Sequence, residues 1–303
     1  MKVIRTITEL RQELNIMRKN HENDTPDSRE VVVGLVPTMG YLHRGHASLM
    51  QAARQQSDIV VLSIFVNPIQ FGPNEDFDSY PRDEERDLAV ARAEGVDIVF
   101  SPSVDEMYPQ PTQTTITVSG ITERLCGASR PGHFNGVTTV VSKLFNIVQP
   151  QKAFFGMKDA QQVAVIQQMV HDLNMPVDVV PCPIVREEDG LALSSRNVYL
   201  SSELRQEALV LSQALRAVQE AVASNIAITA NDIRRILQEQ IGQSVHAVID
   251  YAEIQSFPSL EPLADDEELK AYDDLLIALA VKFGKTRLID NIRIQKMEVL
   301  SRV

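Results

Sequence analysis

Apolar positions along the chain fall into two textures that take turns. Continuous β-branched and apolar runs at residues 31–36 (VVVGLV) and 58–66 (DIVVLSIFV) read as strands buried on both faces, because a strand with one wet face would alternate. Shorter runs of the same kind lie at 96–100, 152–155 and 177–185. Between them apolar residues recur at helical spacing, through Ala47, Leu49, Met50 and Ala53, over a charged segment at 82–94, and at 137–148 and 160–173. The N-terminus, MKVIRTITELRQEL, reads as a strand leading into an amphipathic helix, and 114–118 is a further β-branched segment. Strands alternating with helices predict an α/β fold, a doubly wound parallel sheet with right-handed crossovers.

Near Val185 the texture changes. One long helix is predicted over 201–224 with Ser201 as its N-cap, and a second over about 231–241. Strand-like runs at 247–254, 275–281 and 287–294 follow, joined by turns. Helices followed by strands predict a smaller α+β domain, which divides the chain into residues 1–185 and 186–303. The polar stretch 19–30 has no periodicity and reads as a surface loop. Gly284-Lys285-Thr286 ends like a phosphate loop, but Leu279 stands where that motif needs glycine, so it reads as a hairpin turn.

Composition narrows the function classes. The chain has 303 residues, enough for a large core, with 44% hydrophobic and 23% charged. No apolar run approaches the roughly 20 residues that cross a bilayer, and the N-terminus lacks a signal-peptide core. Cys126 and Cys182 have no metal-ligand spacing and are too few for a disulfide framework, which points to a reducing cytoplasm. The net charge of −12, from 41 acidic and 29 basic residues, argues against nucleic acid as a partner. It does not exclude a small anionic substrate in a locally basic pocket.

Candidate chemistry clusters just beyond the predicted strands. His43-Arg44-Gly45-His46 puts two imidazoles on one face of a helix start, where free N–H groups and the helix dipole suit phosphate. The competing reading is a solvated histidine and a capping histidine. Asn67 and Gln70 follow the second buried strand and offer neutral amides for hydroxyls and a carboxylate, or else belong to an Asn-Pro turn. Gly156-Met157-Lys158-Asp159 leads into Gln162: a tight turn, a point charge for phosphate, and an acid that caps a helix or meets Mg²⁺ or ribose. The plain alternative is a capped helix with an exposed lysine. Leu193-Ser194-Ser195-Arg196-Asn197 is either a phosphate-closing loop or a polar linker, and Arg130-Pro131-Gly132-His133-Phe134 is a basic loop open to the same two readings.

These segments together resemble the pantothenate synthetases (pantoate–β-alanine ligases) of the HxGH nucleotidyltransferase superfamily. The resemblance is carried by Pro37-Thr38-Met39-Gly40 running into His43-x-Gly45-His46, FVNPxQF at 65–71, RPGHF at 130–134, FFGxKDxQQ at 154–162, LSSRNxYL at 193–200 and FGKTRLIDN at 283–291. It implies a Rossmann-like ATP- and pantoate-binding domain with a C-terminal lid domain, usually in a homodimer, that condenses pantoate and β-alanine through a pantoyl adenylate. ATP would lie along Met39, Gly40, Tyr41, Leu42, His43, Arg44, Gly45 and His46, and against Gly156, Met157, Lys158, Asp159, Val185, Leu193, Ser194, Ser195 and Arg196. His46 would be the acid/base residue, with His43, Lys158 and Arg196 on the phosphates. Gln70 and Gln162 would hold pantoate, with Asn67, Arg130 and His133 as further candidates for pantoate or β-alanine. Mg²⁺ would bridge the phosphates, with Asp159 as the one candidate ligand. The chain departs from the pattern at Leu193, where methionine is common, and at Met157 and Ala160, where glutamate and an aromatic are frequent.

Overall fold

The structure, a computed structural model, describes residues 1–24, 30–73, 75–224 and 228–296. Its larger sheet has six parallel strands in the order β1-β4-β3-β2-β5-β6. These are β1 (Lys2–Ile4), β2 (Val33–Thr38), β3 (Ile59–Ile64), β4 (Ile98–Phe100), β5 (Lys152–Gly156) and β6 (Asp178–Cys182). Side chains alternate strictly between two cores. Val33, Leu35, Ile59, Val61, Ile98, Phe100, Ala153 and Phe155 face one; Val36, Val60, Leu62, Val99 and Phe154 face the other. Continuous apolar runs are therefore the sequence of strands covered on both sides.

Helices α1 (Ile7–Asp24), α6 (His133–Val148) and α7 (Ala160–Asp172) cover the first face. Helices α2 (Arg44–Gln56) and α3 (Glu84–Ala93) cover the second, with Leu49, Met50, Ala53 and Ala91 buried there. The short helices α4 (Val104–Met107) and α5 (Leu125–Ser129) lie in the connection from β4 to α6. The second half adds α8 (Ser202–Glu207), α9 (Val210–Ser224) and α10 (Ala230–Ile241) over an antiparallel sheet of β7 (Ala247–Ser256), β8 (Asp274–Phe283) and β9 (Thr286–Gln295). This sheet and these helices have their own core, built on Leu211, Leu215, Ile233, Leu237, Ile277 and Leu279. Gly284 and Lys285 form the hairpin turn between paired Phe283 and Thr286, as the failed phosphate-loop motif predicts. Among the described residues no helix is long and apolar enough to cross a membrane.

Several predicted boundaries move. β2 runs on through Pro37 and Thr38, beyond the predicted run of residues 31–36. Pairing with β5 stops at Leu35, so Pro37 removes no bond on that side. β6 is shorter than predicted and, as an edge strand, tolerates Pro181. Residues 19–24 are helical rather than loop, because Arg18 fastens the end of α1 to the carbonyls of Val148 and Gln149 at 3.0 and 2.9 Å; residues 25–29 lie outside the described residues. The predicted helix 201–224 is broken at Ala208 and Leu209. Ser201 does cap it, accepting from Leu204 N, but α8 is anchored through Glu207 to Ser244 and His246 while α9 packs into the core of the second half. Residues 114–118 join no strand; Ile116 is held instead by Thr138 and Thr139 of α6.

Helix α6 approaches the turn Pro68–Gln70 so closely that its Gly136 has no room for a side chain. A Cβ there would lie 2.4 Å from Ile69 O and 2.5 Å from Gln70 Cα. Gly136→Ala should therefore cost about 1–3 kcal/mol of unfolding free energy, as overpacking does. Denaturant unfolding measures this, and an unchanged midpoint would mean that α6 does not sit against this turn.

Candidate active site

The order of the parallel sheet reverses at β2, which lies between β3 and β5, and a crevice opens where crossovers leave such a strand in opposite directions. Segments following β2, β3, β5 and β6 line two adjoining cavities there, of about 720 and 230 Å³. Both share Arg130, His133, Lys158, Asp159, Gln162 and Arg196. The smaller reaches His43, His46, Asn67 and Gln70, and the larger extends to β8 and β9.

Both histidines cap α2, and both line the crevice. His43 Nδ1 accepts from Gly45 N at 3.1 Å, and His46 Nδ1 accepts from His43 N at 3.3 Å. Each Nδ1 is an acceptor, so each neutral ring carries its proton on Nε2, which is left free to donate. The ring centroids are 4.1 Å apart. Gly45 is required beside them, since a Cβ would lie 2.9 Å from the His43 ring. Burial, reinforced by the charges of Lys158 and Arg86, lowers His43 to about 4. Burial with His43 and Lys158 lowers His46 to about 3. Both are neutral hydrogen-bond donors at neutral pH.

The turn before them is held by a residue the sequence reading missed. Asp87 of α3 is 2% exposed and accepts from Tyr41 N at 2.8 Å and Leu42 N at 2.6 Å. Tyr41 adopts a left-handed φ of 51°, which a non-glycine residue keeps only when its surroundings enforce it. In sequence Asp87 looks like one more acid of a solvated helix; its signal is the spacing of four to Ala91, also buried.

On the floor of the smaller cavity the amides are locked. Asn67 Nδ2 donates to Gln70 Oε1 at 3.1 Å and to Gly136 O at 3.2 Å, while Tyr108 donates to Asn67 Oδ1 at 2.8 Å. Gln70 Nε2 in turn donates to Met39 Sδ at 3.0 Å. His133 Nδ1 donates to Gln70 O at 2.8 Å and accepts at Nε2 from Arg130 at 3.0 Å. That ring is the opposite tautomer, lowered by burial and Arg130 to about 4. Gln162 lines both cavities, and its amide has no hydrogen-bond partner among the described residues.

Two further acids escaped the sequence reading. Glu75 holds Arg130 with two bonds of 2.6 Å, and Asp76 holds Arg196 at 3.0 and 2.9 Å. Asp76 occupies Nε and one terminal nitrogen of Arg196 and leaves the other to the cavity. Ser195 meets Tyr80 OH at 3.1 Å, and Ser194 caps the 3-10 turn Ser195–Tyr199 by accepting from Arg196 N. Lys158 is less committed, with Asp159 4.0 Å away.

Other sequence candidates lie elsewhere. Arg44 is exposed and paired with Glu187 at 2.7 Å, and neither it nor Gly40, Tyr41, Leu42 or Met157 lines a cavity. Gly156, Val185, Leu193, Ser194 and Ser195 do line the smaller one. Asp159 stands at the N-terminus of α7 without capping it, so the capping role read from sequence fails: its side chain makes no such bond. It is half exposed and lines both cavities. The single group of three or more potential metal ligands among the described residues is Glu203, Glu207 and His246, none of which lines the crevice. A Mg²⁺ ion in the crevice would fit one protein carboxylate, Asp159, with phosphate and water completing its shell, a common arrangement for that ion.

Among known proteins, the family described as Pantoate-beta-alanine ligase matches residues 2–293. A protein named Pantothenate synthetase from Acetivibrio thermocellus is 56% identical over 295 residues, covering 97% of this chain and 100% of that protein. One of the same name from Caldicellulosiruptor bescii is 52% identical over 295 residues, 97% of this chain and 99% of the other. The crystal structure of pantothenate synthetase from Thermus thermophilus superposes with a TM-score of 0.86 at 46% identity, covering 96% of this chain and 99% of that one. A pantoate-beta-alanine ligase from Francisella tularensis, solved with Beta-gamma ATP and Beta-alanine, superposes with a TM-score of 0.73 at 32% identity over 96% and 97%.

The histidine geometry sets a pH expectation. His43, His46 and His133 sit at about 4, 3 and 4 in the fold, below the ordinary 6.5. The unfolded chain therefore binds protons first, and the stability these rings contribute is complete above pH 6.5 and lost as pH falls towards 4 and 3. Nitrogen NMR at pH 7 should show Nε2–H tautomers for His43 and His46 and Nδ1–H for His133, with none titrating above about pH 5. A midpoint near 6.5 at either capping histidine would rule out this arrangement.

Proposed function

The chain belongs to the pantoate–β-alanine ligase family, and from that premise we propose that the crevice around His43 and His46 is where it activates pantoate with ATP. The reaction is ATP-dependent ligation of (R)-pantoate to β-alanine through a pantoyl adenylate, giving pantothenate, AMP and pyrophosphate. The observation that carries the site assignment is convergence: two neutral imidazole donors, one lightly committed lysine, a half-occupied arginine and two glutamine amides meet around adjoining cavities at the topological switch point.

In this reading pantoate lies against Gln70 and Gln162, whose neutral amides match hydroxyls and a carboxylate. Asn67 sets the angle of the Gln70 amide. Arg130 and His133 border the same space and serve β-alanine or the pantoate carboxylate. ATP runs along the start of α2 and the turn after β5, and its phosphates meet His43, His46, Lys158, Ser194, Ser195 and Arg196. A carboxylate oxygen of pantoate attacks the α-phosphorus, and the bond to pyrophosphate breaks. Charge grows on the leaving group, where the Nε2–H donors and Lys158 are already oriented, so little reorganisation is needed as it develops. Bound Mg²⁺ supplies further neutralisation of the phosphate oxygens. The neutral amine of β-alanine then attacks the acyl carbon, AMP leaves, and the amine proton is lost to solvent or to a phosphate oxygen. No enzyme nucleophile is required; positioning and electrostatics carry the rate.

We propose His46 as the acid/base residue that the family resemblance implies; its Nδ1 accepts from His43 N, so Nε2–H is the proton it offers to the phosphates. We further propose the division into a nucleotide-binding part, residues 1–185, and a covering part, residues 186–303. Homodimeric assembly and a cytoplasmic location complete this reading; the family resemblance supports the first, and the two free cysteines support the second.

The experiment is AMP release in the presence of ATP and Mg²⁺. It should require both pantoate and β-alanine, whereas pyrophosphate release should require pantoate alone. Lys158→Ala and His46→Ala should each lower adenylate formation by about 10²-fold or more while the far-UV spectrum persists. Near-normal adenylate formation by either folded variant would remove that residue from the site.

A further inference from the structure

We propose that Asn291, on the C-terminal sheet, is a positioning residue for Lys158, so that strand β9 is part of the catalytic machinery and not only a cover for it. Asn291 is 5% exposed, and its side-chain nitrogen donates to Met157 O and to Lys158 O, both at 2.9 Å. One amide group thus commits both its hydrogens to consecutive carbonyls of the turn that carries Lys158.

Met157 packs into the core at one end of that turn, but no side-chain cap holds the residues that follow it. Met157–Asp159 is a single 3-10 turn, and Asp159 makes no capping bond at the start of α7. The lysine side chain has Asp159 4.0 Å away as its one ion-pair partner among the described residues. Its placement therefore falls to its backbone, and the backbone is pinned from β9.

The pin is itself rigid. Asn291 N donates to Asp290 Oδ1 at 2.8 Å, and Asp290, 2% exposed, receives two bonds from Arg186 at 2.6 and 2.8 Å. Arg186 also donates to Gly190 O at 3.1 Å, in the segment leading to Ser194 and Arg196. The network therefore fixes the lysine turn against the strand and runs back to the chain bearing the other phosphate candidates. Buried carbonyls of this kind are costly to leave unpaired, so the turn would shift to find new donors if the amide were lost. A displacement of about 1 Å in a positioning group can cost as much as 10²-fold in rate.

The inference rests on reading Lys158 as the cation that meets the leaving pyrophosphate, and its test separates the two. Asn291→Leu is an apolar near-isostere, and Asn291→Asp keeps the shape but offers no N–H. Pyrophosphate release by each should fall roughly 10- to 100-fold in kcat, with KM for ATP nearly unchanged, as measured on protein that keeps its wild-type far-UV spectrum. In a Lys158→Ala background the same substitutions should cost nothing further, because the effect passes through the lysine. Equal losses in both backgrounds, an intact kcat, or failure of both variants to fold would overturn the proposal. If Lys158→Ala alone were near wild type, the assignment of Lys158 would fall first, and visibly so.

Discussion

Reciprocal capping of α2 by His43 and His46 is the constraint on which the crevice depends. A helix start leaves several backbone N–H groups without partners, and most helices meet that need with serine, threonine or aspartate. Using imidazole nitrogens instead leaves each ring a second nitrogen aimed elsewhere, and the cap itself decides which nitrogen holds the proton. One set of bonds thereby closes the helix, fixes two tautomers and presents two donors to the crevice. Gly45 and Asp87 serve this arrangement, the first by leaving room for the His43 ring and the second by holding the turn that delivers it.

Charge in and beside the crevice is organised on a related principle. Arg130, Arg186, Arg196 and Arg287 each hold a carboxylate, from Glu75, Asp290, Asp76 and Asp250. An unpaired guanidinium half out of water is costly, and pairing gives it a fixed geometry while limiting its reach. Lys158 is the contrast: a compact ammonium with Asp159 4.0 Å away, an arrangement that suits the role proposed for it. In the proposed reading, neutral donors recognise, paired arginines shape, and the lightly paired lysine neutralises.

How far the sequence discloses this depends on the scale at which each interaction is encoded. Strands buried on both faces announce themselves through runs such as residues 58–66, and the motifs after β2, β3 and β5 fall at strand ends that periodicity alone locates. The histidines were legible as two competing readings, cap or ligand; in the structure both cap α2 and both line the crevice. Asp87, Glu75 and Asp76 were not legible. Each acts across 45 or more positions, with Leu42, Arg130 and Arg196, and a carboxylate in a charged segment carries no local sign of its partner. The break in the helix predicted over 201–224 was hidden for the same reason, since Glu207 is drawn to Ser244 and His246 from another element.

The motif FGKTRLIDN shows why such long-range partners matter to function. Its glycine and lysine look like chemistry and turn out to be a hairpin, while its last two residues, Asp290 and Asn291, look like the polar end of a strand and are almost wholly buried. A buried amide that donates twice to the turn bearing Lys158 ties the position of that charge to the position of the other sheet. On the proposed reading, covering and catalysis are then coupled: if β9 sits correctly, so does the lysine turn, and a misplaced β9 would withdraw the cation along with itself. If Lys158 is the group that promotes adenylate formation, as proposed, such coupling would keep a reactive acyl phosphate from forming in an open site, because the strand that helps to enclose the crevice also sets the lysine turn.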